Sequence, residues 1–250
     1  MMGPLDTHAH LADLPDGSFE RARAAGLSGI VAVSVNITTC EGTLKLQQSH
    51  KGFVHAALGL HPTEFFNQDL NAALALIWEN SAHCIAVGEI GLDYWHKLVR
   101  KDKVQKERQA EFYIAQLKLA KELDLPVSIH SRGAWRECLT LAMEHGPSKG
   151  VFHWYSGPLD VLSEVIDAGY YVSCTPVLEG SPELRAAMEK APLERILVET
   201  DSPVWIKSLN RQSEPVDVQL TLRHLSELKD LPQGDVEAVT TRNAKTLFKL

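Results

Sequence analysis

The segment Asp6-Thr7-His8-Ala9-His10 closes a short apolar run near the start of the chain. On a strand, alternate side chains share a face, so His8 and His10 point the same way. Two neutral imidazoles on one face make half of a metal site. A lone His-x-His pair proves little, so its meaning depends on how the other apolar runs end. They end in His61, within Gly59-Leu60-His61-Pro62, and in Glu89 and Asp93, within Gly88-Glu89-Ile90-Gly91-Leu92-Asp93. Further on they end in His130-Ser131-Arg132, in His153-Trp154-Tyr155 and in Glu199-Thr200-Asp201-Ser202-Pro203. The bodies of these runs are Val, Ile, Ala and Leu, so the recurrence of metal-capable side chains at their ends is a pattern rather than composition.

His8, His10, His130 and His153 with Glu89 and Asp201 offer more donors than one metal uses when it keeps a position open for water. Two ions about 3.5–4 Å apart, bridged by a carboxylate, would use them all. Glu89, mid-chain and bracketed by Gly88 and Gly91, is the expected bridge. Asp201 is expected to join His8 and His10 at one ion, with His130 and His153 at the other. This mixed nitrogen and oxygen set suits Mg, Mn, Zn or Fe, so the expected cofactor is two divalent ions of open identity.

The elements that carry these residues alternate regularly. β-rich apolar runs over 4–8, 29–35, 54–60, 84–90, 126–130, 150–155, 170–174 and 195–200 are separated by helical segments over 18–25, 38–50, 70–80, 104–123, 134–144, 159–168 and 183–190. Two closing helices are expected over 216–228 and 236–248. Eight strands alternating with helices predict an α/β fold of the (β/α)8 TIM-barrel type, in which chemistry sits at the C-terminal ends of the strands. A doubly wound sheet fits less well, because no Gly-rich phosphate turn follows the first strand. No linker or change of composition divides the chain, so residues 1–250 are expected to form one domain.

Among the 250 residues, 25 Lys and Arg stand against 32 Asp and Glu, a formal net charge of −7. That balance argues against a broad basic face that grips duplex DNA without regard to sequence. Cys40, Cys84, Cys138 and Cys174 are scattered, which suits reduced thiols in the cytoplasm. No apolar run approaches a membrane span and no leader pattern opens the chain, so a cytoplasmic location is expected.

Six ordered motifs resemble the TatD family of metal-dependent deoxyribonucleases: DTHAHL at 6–11, GLHP at 59–62, VGEIGLDY at 87–94, LPVSIHSR at 125–132, the His and Ser-Gly of 153–157, and ETDSP at 199–203. TTRNAKTLF at 240–248 resembles the family's C-terminal helix. The resemblance covers the whole chain and implies a barrel of the metallo-dependent hydrolase type, with His8, His10, Glu89, His130, His153 and Asp201 as metal ligands and Glu89 bridging. The chain departs from the family at His153-Trp154-Tyr155-Ser156-Gly157, where His-Cys-Phe-Ser-Gly is usual, at Arg211-Gln212-Ser213-Glu214-Pro215, and at Val204-Trp205. These departures spare every expected ligand and alter the pocket wall.

The activity implied is hydrolysis of DNA phosphodiesters by metal-activated water, with Asp201 as proton acceptor and Asp93 and Glu199 orienting ligands from behind. His61 and Arg132 sit beside ligand-bearing runs and are the expected phosphate contacts. Lys97, Arg100, Lys101, Lys103, Lys106 and Arg108 follow the Glu89 run and could steer a strand end. Tyr94, Trp95, Trp154, Tyr155 and Trp205 fall near the expected rim, where they could stack unpaired bases; core packing competes for Trp154, and Trp95 and Trp205 are the stronger candidates. A small basic patch beside an enclosed mouth favours exonuclease action on single-stranded or frayed ends. The rival readings are a D-aminoacyl-tRNA deacylase and a small-molecule amidohydrolase. Amidohydrolases commonly bridge their metals with a carboxylated lysine, and the Glu89 run has no lysine. DNA is the expected partner, with no membrane and no obligate protein partner, and the protein is expected to be a monomer.

Overall fold

The computed structural model describes residues 3–15 and 17–250. Eight strands form one parallel sheet in sequential order: β1 (Leu5–Ala9), β2 (Gly29–Val33), β3 (Val54–Leu58), β4 (Cys84–Gly91), β5 (Val127–His130), β6 (Gly150–Phe152), β7 (Tyr171–Cys174) and β8 (Ile196–Val198). A parallel bridge between Ala9 and Ser202 joins the last strand's exit to the first strand. A helix follows each of the first seven strands: α1 (Ser18–Ala24), α2 (Ile37–Ser49), α3 (Leu70–Glu79), α4 (Lys103–Glu122), α5 (Trp135–His145), α6 (Leu159–Asp167) and α7 (Pro182–Lys190). After β8 a short hairpin, β9 (Trp205–Ile206) with β10 (Arg211–Gln212), precedes α8 (Val218–Lys229) and α9 (Gln233–Phe248). The architecture is the expected (β/α)8 barrel.

Parallel strands with covered faces must be apolar on both sides, and these strands are almost wholly buried. Alternation sorts their side chains into two layers. Ile30, Ala32, Val54, Ala56, Leu58 and Val87 pack outward with helix residues such as Ile77 and Leu117. Val31, Val33, Ala57, Ala86, Val151 and Leu197 fill the interior, joined by Leu247 and Phe248 of α9. Helix starts follow local chemistry. Asn36 and Thr39 form a capping box on α2, and the side chains of Asp102 and Ser181 accept backbone N–H bonds at α4 and α7.

Four strands end two or three residues before their apolar runs do: β2 at Val33, β3 at Leu58, and the two that bear on the site. β6 stops at Phe152 and β8 at Val198, which leaves His153, Trp154 and Asp201 on loops. Trp154 and Asp201 have φ of +42° and +48°, left-handed values that no strand accommodates. Both turns are held: the Trp154 N–H donates to Ser173 Oγ at 2.9 Å and Glu199 Oε1 at 3.0 Å, and the Asp201 N–H to the His8 carbonyl at 2.9 Å. The β9–β10 hairpin was not expected, because two-residue strands carry no periodicity. Helix α9 begins three residues before the expected 236.

Asp6, fully buried on β1, latches the barrel's seam. It accepts the Thr200 backbone N–H at 2.9 Å and the Thr200 hydroxyl at 2.6 Å. Replacing it by alanine removes the acceptor of the Thr200 N–H and hydroxyl and of the His8 N–H at 3.3 Å, beside Asp201. Asp6→Ala is expected to lower unfolding free energy by about 1–3 kcal/mol, measured by urea denaturation. A variant as stable as the parent would contradict the latch.

Candidate metal centre

The C-terminal ends of β1, β3, β4, β5, β6 and β8 open into a cavity of about 520 Å³, within the range of small-ligand sites. At its floor lies Glu89, 1% exposed, with its two oxygens facing different imidazoles. Oε2 lies 3.2 Å from His8 Nε2 and 3.5 Å from His10 Nε2. Oε1 lies 2.7 Å from His153 Nε2, 2.8 Å from His130 Nδ1 and 3.2 Å from His61 Nε2. Asp201 Oδ1 sits 3.3 Å from His10 Nε2 and 3.6 Å from His8 Nε2. The six residues expected as ligands are thus brought together, with Glu89 between them. Among the described residues, three groupings keep their donor atoms within 4.8 Å of one another: His8 with His10 and Glu89, His8 with His153 and Asp201, and His61 with Glu89 and His130.

The far side of each ring decides what its near nitrogen can do. His130 Nε2 faces Asp93 Oδ2 at 3.2 Å, His153 Nδ1 faces Glu199 Oε1 at 3.4 Å, and His8 Nδ1 faces Ser128 Oγ at 3.2 Å. A ring that gives its proton to such a partner turns a lone pair toward the centre, the usual arrangement of a metal-binding histidine. His61 is the reverse. Its Nδ1 receives the Thr63 backbone N–H at 3.1 Å and lies 2.7 Å from the Thr63 hydroxyl. Nδ1 therefore carries the lone pair and Nε2 the proton, which makes His61 a donor into the cavity rather than a ligand. Burial also pushes the His61 pKa down, against the pull of Glu89, so that the ring stays neutral.

Burial alone would raise the Glu89 carboxyl, but the neighbouring His61, His153 and His8 hold it well below the usual carboxylate range. Asp201 is likewise lowered against burial, chiefly by its hydrogen bond to His10. Burial works against protonation of His153, yet Glu89 and Glu199 raise it well above an ordinary histidine. The carboxylates that favour a proton on His153 supply the negative field a divalent cation seeks, and proton and cation compete for the same lone pairs. Buried imidazoles and ionised carboxylates in this number fit divalent metal ions.

Asp93 ties the centre to its surroundings. Its Oδ2 accepts Arg132 Nε at 2.9 Å and Arg132 Nη2 at 2.7 Å besides facing His130, and its Oδ1 accepts the Trp95 and His96 N–H groups. Two buried glutamines seven residues apart on α4 fix the flanking loops. Gln116 exchanges hydrogen bonds with the backbone of Leu60, and Gln109 links the Pro62 carbonyl to the Asp93 N–H. Glu199 accepts the Trp154 N–H, and its buried Oε2 has no hydrogen-bond partner among the described residues.

His61, Arg132 and Trp95 line the cavity. Trp205, 58% exposed on β9, is not among the described residues that line it. Tyr155 is buried, with its hydroxyl bonded to the Pro158 carbonyl, and is core rather than wall. Of the two readings open for Trp154, cavity wall is the one found, and Trp135, Ser156, Ser181 and Glu183 join it without a signal in the sequence. Of the basic residues after β4, Lys106 lies over the Tyr94 ring and Arg108 near the Phe65 and Phe112 rings, while Lys103 pairs with Glu107.

The whole chain has close likenesses among known proteins. A family model described as TatD related DNase matches residues 5–249. Human deoxyribonuclease TATDN3 is 32% identical, across 99% of this chain and 95% of the human one. The 3'-5' ssDNA/RNA exonuclease TatD of Erwinia tasmaniensis is 29% identical, across 98% of this chain and 97% of the relative. The crystal structure of YJJV, a TatD homologue from Escherichia coli k12, matches with a TM-score of 0.89 and 29% identity over 100% of both chains. A family match that runs almost from end to end leads to one conclusion: this chain belongs to the TatD-related DNase family, whose members include metal-dependent hydrolases.

Proposed function

We propose that this protein is an exonuclease that hydrolyses DNA phosphodiesters at single-stranded or frayed ends, with two divalent ions held across Glu89. The observation that carries the reading is the division of the Glu89 oxygens, Oε2 toward His8 and His10 and Oε1 toward His130 and His153. His8, His10 and Asp201 would hold one ion with Glu89, and His130 and His153 the other. Divalent ions bound there would lower the pKa of water and neutralise charge gathering on the phosphoryl oxygens.

The residues of the chain divide the remaining work. Asp201, with 10% of its side chain exposed against 1% for Glu89, opens onto the cavity and is the proton acceptor. His61 presents its Nε2 proton to a phosphoryl oxygen. Arg132, half exposed and held by Asp93, places a fixed guanidinium at the cavity wall, a geometry suited to phosphate. Asp93 and Glu199 keep the protons of His130 and His153 on the outward nitrogens. A blind cavity at the barrel mouth admits a strand end more readily than the middle of a duplex. The naming of an Erwinia relative as a 3'-5' ssDNA/RNA exonuclease supports the same substrate class. Four buried unpaired cysteines fit the cytoplasm. No helix among the described residues is long and apolar enough to cross a membrane.

Three measurements test this reading. With Mg, Mn or Zn supplied, an end-labelled single-stranded oligonucleotide should shorten from an end while a single-stranded circle of the same length survives. Equal cleavage of the circle contradicts exonuclease action. An intact oligonucleotide beside turnover of a D-aminoacyl-tRNA or a dihydropyrimidine contradicts the nuclease reading. Glu89→Gln keeps the shape of the side chain and should lower both bound metal and turnover by more than the roughly 10–100-fold typical of losing a ligand's outer partner. Asp93→Asn should fall within that range of roughly 10–100-fold. Metal content by mass spectrometry and initial rates read both variants, and full metal occupancy in Glu89→Gln would contradict the bridge.

A further inference from the structure

Three tryptophans line the same cavity as the metal centre, and local backbone features hold each of them. Trp95 and Trp135 meet edge to face with ring centroids 5.4 Å apart. Each indole lies against a glycine. A Cβ at Gly133 would sit 2.5 Å from Trp95 Cδ1 and 2.6 Å from its Nε1, and Gly133 has φ of +74°. A Cβ at Gly157 would sit 2.6–2.8 Å from three carbons of the Trp135 ring. Only glycine permits such close backing. The Trp95 N–H is bonded to Asp93 Oδ1, on the same carboxylate that faces His130 and grips Arg132. Trp154, next to His153, stands at φ +42°, a conformation rare for so bulky a residue and kept by Ser173 and Glu199.

Trp95 is nevertheless 61% exposed. Burial in the core does not account for a large aromatic surface held rigid and left open beside a cluster of charged groups. A rigid indole loses little entropy on binding, and stacking on it is tolerant of base identity because every base has a π-face. Arg132 at the same wall supplies the positive charge that a nucleotide's phosphate needs.

We propose that Trp95 and Trp135, flanked by Trp154, form an aromatic subsite that takes the unpaired nucleobase of the terminal nucleotide. This inference rests on the nuclease reading and adds a requirement to it: the end must offer a base free to stack. The subsite is sequence-tolerant and selects unstacked ends over paired ones. Trp135 carries it together with Trp95, while Trp205 on β9 takes no part.

The test compares kcat/KM for two single-stranded oligonucleotides that differ only at the attacked end, one with a natural nucleotide and one with an abasic tetrahydrofuran residue. The natural end should be preferred by about 10- to 100-fold, the span expected for one base stacked on an aromatic side chain. Trp95→Ala and Trp135→Ala should bring the two ends to parity, and Trp95→Phe should restore most of the preference. Equal rates of the parent enzyme on both ends overturn the subsite while leaving the nuclease reading intact. A preference that persists in both alanine variants also overturns it. If neither oligonucleotide is cut, the nuclease reading fails and the subsite with it.

Discussion

A carboxylate buried as deeply as Glu89 can stay ionised only if positive charge or hydrogen-bond donors meet both of its oxygens. Removing such an ion from water costs several kcal/mol even after the protein relaxes. In this barrel the compensation comes from five imidazoles, delivered by β1, β3, β5 and β6 or the loops that leave them. The His61 Nε2–H meets this need directly, whereas a ring that turns its lone pair toward Glu89 meets it only with a cation between them, as in the proposed two-ion site. The rest of the site follows from that need. Asp201 adds a second ionised oxygen near His8 and His10, and Asp93 and Glu199 stand behind His130 and His153.

The scaffold holds this charge-rich floor by buried polar contacts rather than by apolar packing alone. Gln109 and Gln116 on one face of α4 bond to the backbones of Pro62, Asp93 and Leu60, so one helix sets the position of two loops. Asp6 and Thr200 draw β8's exit to β1, which brings Asp201 alongside the two histidines it faces. Asp93 binds a cluster histidine, a cavity arginine and the backbone of a wall tryptophan at once. Movement at any of these ties would be felt at the centre.

Much of this was legible in the chain. The alternation of apolar runs and amphipathic segments marks all eight strands, since strands buried on both faces in a parallel barrel leave stretches with almost no polar residue. The ligand candidates stand out because polar residues end those runs. What stayed hidden depends on three-dimensional neighbours. The role of His61 turns on which nitrogen its proton occupies, and that is set by a backbone N–H two residues later. Trp135 reads as ordinary helix packing until Gly157, on a different loop, is seen behind its ring. Trp154 reads as core or rim alike, because nothing in its neighbours announces a left-handed backbone. Trp205, expected at the rim, lies on a short hairpin that the sequence does not announce and is not among the described residues that line the cavity.

The claim on which everything else depends is that one buried carboxylate bridges two cations. Anomalous diffraction from crystals grown with Mn tests it directly. The account predicts two peaks about 3.5–4 Å apart on either side of Glu89, one beside His8, His10 and Asp201 and the other beside His130 and His153. A single peak, or two peaks that leave Glu89 bound to only one of them, would contradict it.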